Sequence, residues 1–148
     1  MNALNILLVD DDRNLGLTLS HGLRKAIGGA TSVVFCSSGA EAQALLATRA
    51  FDLVISDFNM PGMSGLELLK NIRRDHRETG LVLITAYATD ALFEEAHQLG
   101  IAYIAKPFEL PLLGQLIKEL IQSEEKRSVI KNVPCTLHSD SNADLAYR

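Results

Sequence analysis

The sequence predicts an α/β domain built on a doubly wound, five-stranded parallel sheet with helices on both faces. Three observations carry this. Short, nearly continuous apolar runs rich in Val, Ile and Leu recur at residues 6–9, 53–55, 81–84 and 101–104, as in strands buried on both faces. Longer segments between them space their apolar residues at helical intervals. The strand–helix alternation repeats five times, and parallel neighbours joined by right-handed crossovers need helices to cover both faces.

The first strand, residues 6–9, runs directly into Asp10, Asp11 and Asp12. A first helix follows, with Leu15, Leu19, Leu23, Ala26 and Ile27 as its apolar stripe. A weaker strand is expected at residues 32–35. The second helix follows Ser38-Gly39, with Ala40, Ala44, Leu45 and Ala47 facing inward. Asp52 reads as a turn residue before the third strand, with no evident partner. That strand, residues 53–55, ends in Ser56-Asp57, and the turn Phe58-Asn59-Met60-Pro61-Gly62 comes next. Ser64 is placed to cap a third helix carrying Leu66, Leu69, Ile72 and Arg73. The fourth strand, residues 81–84, leads into Thr85-Ala86. After Thr89-Asp90 comes a fourth helix with Leu92, Phe93, Ala96 and Leu99, stopped by Gly100. The fifth strand, residues 101–104, leads into Ala105-Lys106-Pro107, where the Lys-Pro bond suggests a fixed geometry, cis or trans. Leu112, Leu113, Leu116, Ile117, Leu120 and Ile121 form the last and strongest stripe.

Residues 1–123 therefore read as one domain. Residues 124–148 read as a helix extension followed by a tail or linker, since Val133-Pro134 should end any helix and the remainder is polar without periodicity.

Composition narrows the function. A chain of 148 residues with 47% apolar and 22% charged residues suits one soluble globular domain. Its net charge of −4 argues against direct nucleic-acid binding by this segment. No apolar stretch reaches the roughly 20 residues that span a bilayer, and no secretory signal is evident, so no membrane role is expected. Cys36 and Cys135 lack framework spacing and read as reduced thiols of a cytoplasmic protein. His21, His76, His97 and His138 show no metal-ligand spacing.

In an open sheet of order 2-1-3-4-5, ligands bind beyond the carboxyl ends of the strands, between the first and third. Those strands end in Asp10-Asp11 and in Asp57. Carboxylates gathered there repel one another unless a cation joins them. A hard cation preferring oxygen ligands answers that need, and Mg²⁺ is the expected one. Lys106 and Thr85, at the neighbouring strand ends, supply a charge and a hydroxyl for phosphoryl oxygens. A carboxylate in that setting can act as a nucleophile and form an aspartyl-phosphate.

The segments LLVDDD, LVISDFNMPGMSG, LITA and YIAKPF, in this order and spacing, resemble the receiver domain of two-component response regulators. The resemblance covers roughly residues 4–123 and implies a flavodoxin-like, chemotaxis-regulator-like fold. It implies that Asp57 accepts a phosphoryl group from a sensor histidine kinase or a histidine phosphotransfer protein. Asp10, Asp11 and Asp57, with the backbone carbonyl of Asn59, would hold Mg²⁺. Thr85 and Lys106 would grip the phosphoryl oxygens, and Thr85 with Tyr103 would form the switch, Tyr103 swinging inward. An output domain or protein partner would meet the face of the fourth helix, fifth strand and fifth helix, and a homodimer is compatible with it. Such a protein is a phosphoacceptor switch, not an enzyme, with at most self-phosphorylation and slow self-dephosphorylation.

Alternatives remain at this stage. Asp12 extends the acidic pair, so the ligands could be Asp11 and Asp12, although strand phase favours Asp10 and Asp11. Tyr87, two residues beyond Thr85, could shield a phosphoryl group from water. A Mg-dependent phosphohydrolase of the haloacid dehalogenase type would instead use Asp10 as nucleophile and Asp12 as acid/base, but Asn14 departs from that pattern and the chain is short for a substrate cap. A flavodoxin-like mononucleotide binder is opposed by three acids where a phosphate loop belongs. A pseudo-receiver acting only as an interaction module would normally lack part of the acidic set.

Overall fold

The computed structural model describes residues 3–124. Five strands alternate with five helices: β1 (Leu4–Val9), α1 (Arg13–Ile27), β2 (Thr31–Cys36), α2 (Gly39–Thr48), β3 (Leu53–Asp57), α3 (Gly65–Asp75), β4 (Gly80–Thr85), α4 (Asp90–Gln98), β5 (Ala102–Ala105) and α5 (Leu110–Glu124). The strands form one parallel sheet of order β2-β1-β3-β4-β5. The doubly wound sheet is therefore the one read from the sequence. Continuation of the last helix past residue 124, and the tail or linker, lie outside the described residues, as do Cys135 and His138.

The continuous apolar runs are explained by the two-residue period of a strand between two cores. Leu7, Val9, Val54, Leu81, Leu83 and Tyr103 point to one face, where α2, α3 and α4 pack Leu46, Leu68, Leu69, Ile72, Leu92 and Ala96. Ile6, Leu8, Ile55, Val82, Ile84 and Ile104 point to the other, against Leu23 of α1 and Leu113, Leu116 and Ile117 of α5.

Side-chain caps set where the helices begin. Asp12, Ser38, Ser64 and Thr89 each accept a hydrogen bond from the backbone N–H three residues on, satisfying donors that the first turn leaves open. Ser64 completes a capping box with Glu67. Gly100 follows α4 with φ 69, the left-handed conformation that favours glycine after a helix.

Two helix faces differ from expectation. In α1, Leu23 is buried and Leu19, Ala26 and Ile27 are half-buried as expected, but Leu15 is 43% exposed and Gly16 and Ser20 are buried in its place. The reason lies in β2: a Cβ on Gly16 would stand 2.0 Å from the Phe35 ring, so the glycine lets the helix seat against that ring. In α2, Ala40, Ala44 and Ala47 are exposed, while Gly39, Ala42 and Leu46 are buried. Alanine and glycine on nearly every face leave little contrast to fix the phase from sequence. Asp52 also gains a partner: its Oδ2 accepts the Asn5 N–H at 2.8 Å and its own N–H donates to the Asn5 carbonyl at 2.8 Å. It clips the entry of β3 to β1.

Candidate functional site

The parallel register brings four strand ends to one edge. Val9 pairs with Ser56, Asp57 with Ile84, and Thr85 with Ala105, so Asp10, Asp57, Thr85 and Lys106 leave adjacent strands side by side. Backbone bonds close the edge: Phe58 N–H donates to the Ile84 carbonyl and Lys106 N–H to the Thr85 carbonyl, each at 2.8 Å. The Lys106–Pro107 peptide is cis.

Carboxylate oxygens of Asp10, Asp11 and Asp57 lie within 4.8 Å of one another. Asp10 and Asp57 are buried and Asp11 is exposed. Asp12 does not join this group; its carboxylate caps α1 through the Leu15 N–H at 3.1 Å. Asp10 Oδ1 accepts the Asp12 N–H at 2.9 Å, and Asp57 Oδ2 accepts the Asn59 N–H at 3.2 Å. Burial, and then the negative charge of Asp57 and Asp11, pushes the Asp10 carboxyl above its ordinary range, against the opposing pull of the Asp12 N–H and Lys106.

Lys106 Nζ stands 2.6 Å from Asp57 Oδ1. The other Asp57 oxygen faces the Asn59 amide, so the carboxylate is held at both ends. Thr85 is buried, and its Oγ1 accepts the Tyr87 N–H at 2.8 Å. Accepting that bond leaves the hydroxyl proton free to donate elsewhere. Tyr87 itself is 61% exposed beyond this edge. Tyr103, expected to swing inward, is already buried on β5 at 4% exposure. Its ring stands edge-on to Phe93, centroids 5.9 Å apart, and Phe93 stacks on His97. Burial pushes its phenol up, and a hydrogen bond with the Thr89 backbone opposes that.

Two residues of the site went unread in the sequence. A Cβ on Gly65 would lie 2.0 Å from the Asp57 carbonyl oxygen, so only glycine lets α3 start this close to the acid. The Ser56 hydroxyl donates to that same carbonyl at 3.0 Å, and the Gly65 N–H donates to the Phe58 carbonyl at 2.9 Å. The glycine straight after a capping serine was a signal for Gly65; nothing local marked Ser56.

Three oxygen donors of net negative charge, partly buried and flanked by one lysine, suit a hard divalent cation. The comparisons with known proteins agree with this geometry. The family model described as the response regulator receiver domain matches residues 6–118. The response regulator protein FleR of Pseudomonas aeruginosa is 44% identical over 116 residues, which are 78% of this chain and 24% of FleR. The DNA-binding transcriptional regulator NtrC of Escherichia coli is 33% identical over 136 residues, 88% of this chain and 28% of NtrC. The chain thus spans about a quarter of the length of these two relatives. Against the chemotaxis protein CheY of Pseudomonas aeruginosa it is 33% identical over 122 residues, 80% of this chain and 97% of CheY. A CheY-like receiver domain protein of Methanospirillum hungatei superposes with a TM-score of 0.78 at 27% identity, over 84% of this chain and 98% of that one. With the acidic edge, the strand order and these matches in agreement, the chain belongs to the response regulator receiver domains of two-component signalling.

Proposed function

We propose that Asp57 accepts a phosphoryl group from a sensor histidine kinase or a histidine phosphotransfer protein, and that this switches a partner-binding face. The observation that carries the proposal is the setting of one buried carboxylate. Asp57 sits within 4.8 Å of the oxygens of Asp10 and Asp11, and 2.6 Å from the Lys106 ammonium.

Asp10, Asp11 and Asp57, with the Asn59 carbonyl, would hold Mg²⁺. When bound, the ion offsets charge on the carboxylates and on the incoming phosphoryl oxygens. An Asp57 carboxylate oxygen attacks phosphorus; the new O–P bond forms as the P–N bond to the donor imidazole breaks, and the imidazole keeps the bonding electrons. Lys106 follows the negative charge from Asp57 to the phosphoryl oxygens. Thr85 donates its free hydroxyl proton to another of them.

The switch follows from the same bonds. Thr85 holds the Tyr87 N–H, so its movement toward a phosphoryl group draws residues 86–89 toward the edge and shifts the start of α4. Room opens beside Tyr103, which resettles with Phe93, and the face of α4, β5 and α5 changes shape for an output domain or protein partner. Phosphate need only favour one arrangement over another by a few kcal/mol. The work is that of a phosphoacceptor switch, with self-phosphorylation and slow self-dephosphorylation as its only chemistry. We place it in the cytoplasm; among the described residues no helix is long and apolar enough to cross a membrane. Likeness to NtrC points to an output within a DNA-binding transcriptional regulator, and likeness to CheY, matched over 97% of its length, to a separate protein partner; either can use this face, as can a homodimer.

The phosphohydrolase alternative asks Asp12 to act as acid/base, but Asp12 is engaged in capping α1. Acetyl phosphate with Mg²⁺ tests the proposal: the wild-type chain should be labelled on Asp57, and Asp57→Asn should lose the label. Retained labelling at another residue contradicts the assignment. Steady turnover of a small phosphate ester that survives Asp57→Asn but not Asp10→Asn selects the phosphohydrolase.

A further inference from the structure

Helix α4, the shortest, buries the fewest residues. It buries only Leu92 and Ala96, whereas α1 and α2 each bury three residues and α3 buries five. Segments with few buried contacts open most readily. Phe93 and Leu99 add partly buried contact with the core, and polar groups on α3 reach α4 as well.

Lys70 and Arg73 lie one turn apart on α3 and reach the same neighbour. Arg73 donates from Nε to the Leu99 carbonyl and from Nη2 to the Gly100 carbonyl, both at 3.1 Å. Its Nη1 donates to the carbonyls of Arg77 and Thr79 at 2.9 and 3.1 Å. One planar cation therefore ties the C-terminal end of α4 to the loop between α3 and β4. Half a helix away, Lys70 Nζ pairs with Glu95 Oε2.

These contacts differ in how easily they are given up. Releasing Arg73 would break four charged hydrogen bonds at once, and two of them, to the carbonyls of Leu99 and Thr79, are partly buried and costly to leave unmade. The Lys70 and Glu95 side chains are 41% and 45% exposed, so water replaces that pair at little cost. The opposite end of α4 starts at the Thr89 cap, reached from Thr85 through the bond to Tyr87.

We propose that the Lys70–Glu95 ion pair is a latch on α4, and that the Arg73 clamp at Leu99 and Gly100 is the pivot about which the helix turns when it opens. A pull on residues 86–89 then becomes a rotation of α4 that the latch resists, and the strength of the pair sets how readily Asp57 is phosphorylated. The inference rests on the reading of Asp57 as phosphoacceptor and adds a regulatory contact outside its site.

The test compares Lys70→Ala, Glu95→Ala and the charge swap Lys70→Glu/Glu95→Lys in the full chain. Two quantities are read: hydrogen exchange of the α4 amides in the unphosphorylated protein, and the initial rate of Asp57 labelling by acetyl phosphate with Mg²⁺. Each single variant should raise both by about two- to fivefold, the scale of an exposed ion pair, and the swap should bring both back toward wild type. Glu95→Ala is informative in sign, because alanine favours a helix and would slow exchange if no latch were lost. The proposal is overturned if the single variants exchange like wild type, if the swap restores nothing, or if α4 loosens while labelling is unchanged. Wild-type protein that takes no label would defeat the phosphoacceptor reading, and exchange alone would still decide whether the pair holds α4.

Discussion

Lys106 Nζ and Asp57 Oδ1 stand 2.6 Å apart, joining a half-exposed cation on the loop after β5 to a buried carboxylate at the end of β3. The pair crosses over β4, so it forms only once three strands are in register. It makes Lys106 the counter-ion of the acidic edge and a competitor for any cation that binds there.

Lys106→Ala should therefore separate two effects. Losing the ammonium should lower stability by about 1–2 kcal/mol, discounted because the lysine is partly exposed. It should also tighten Mg²⁺ binding by about three- to tenfold, since a nearby positive charge is gone. Denaturant melts and a magnesium titration read the two; unchanged Mg²⁺ affinity would show that Lys106 does not face the ion.

Asp10 provides a pH dependence with a definite sign. Its folded-state pKa is raised, chiefly by burial, so the folded chain holds that proton more tightly than the unfolded chain. Stability without metal should then fall as pH rises from the ordinary value of 3.8 through the raised one, and stay lowered above it. Asp10→Asn should raise the metal-free Tm near neutral pH by about 2–6 °C. Millimolar Mg²⁺ should reverse that ranking by stabilising wild type alone.

Gly65→Ala should be costly for its size. The added Cβ would meet the Asp57 carbonyl oxygen at 2.0 Å, so the start of α3 or the end of β3 must move. A loss of about 1–3 kcal/mol is expected, together with slower labelling of Asp57 by acetyl phosphate. Helix propensity alone would predict the opposite sign for stability.

Tyr87 stands 61% exposed next to the residue that would grip the phosphoryl group. Its backbone bond to Thr85 survives any side-chain change, so Tyr87→Ala isolates the ring. Loss of phosphate from labelled Asp57 should quicken several-fold if the ring keeps water away. An unchanged half-life would dismiss that role.

Cys36 should be inert. It is buried beside the edge, and burial with the nearby Glu41 charge raises its thiol from 9.0 to about 11. Alkylation at mildly alkaline pH should be at least about a hundredfold slower than for a free cysteine. Peptide mass mapping of the native protein reads this, and rapid modification would contradict the burial.

Much of the candidate site could be read from the chain because its parts sit at the ends of apolar runs. Asp10, Asp57, Thr85 and Lys106 each terminate or follow such a run, and parallel topology converts four run ends into one edge. Ser64 was legible as a cap for an equally local reason: a short oxygen-bearing side chain reaches its own next turn. The stripes of α3, α4 and α5 were also legible, apart from Leu112, which is 36% exposed, since large apolar residues there contrast with charged ones.

What the residue order determined by itself is the alternation of strands and helices, and with it the edge where carboxylates gather. These depend on hydrophobic period and on contacts within a few residues. Tertiary structure alone decided the rest. The faces of α1 and α2 depend on what the sheet offers, Phe35 against Gly16 in the first case. Asp52 finds Asn5 across 47 positions of sequence. Gly65 matters only because a helix start meets the Asp57 carbonyl, and the partner of the Tyr103 ring, Phe93 held edge-on to it, comes from another element. Each is a meeting between distant segments, and shape and packing settle such meetings where local preference says nothing.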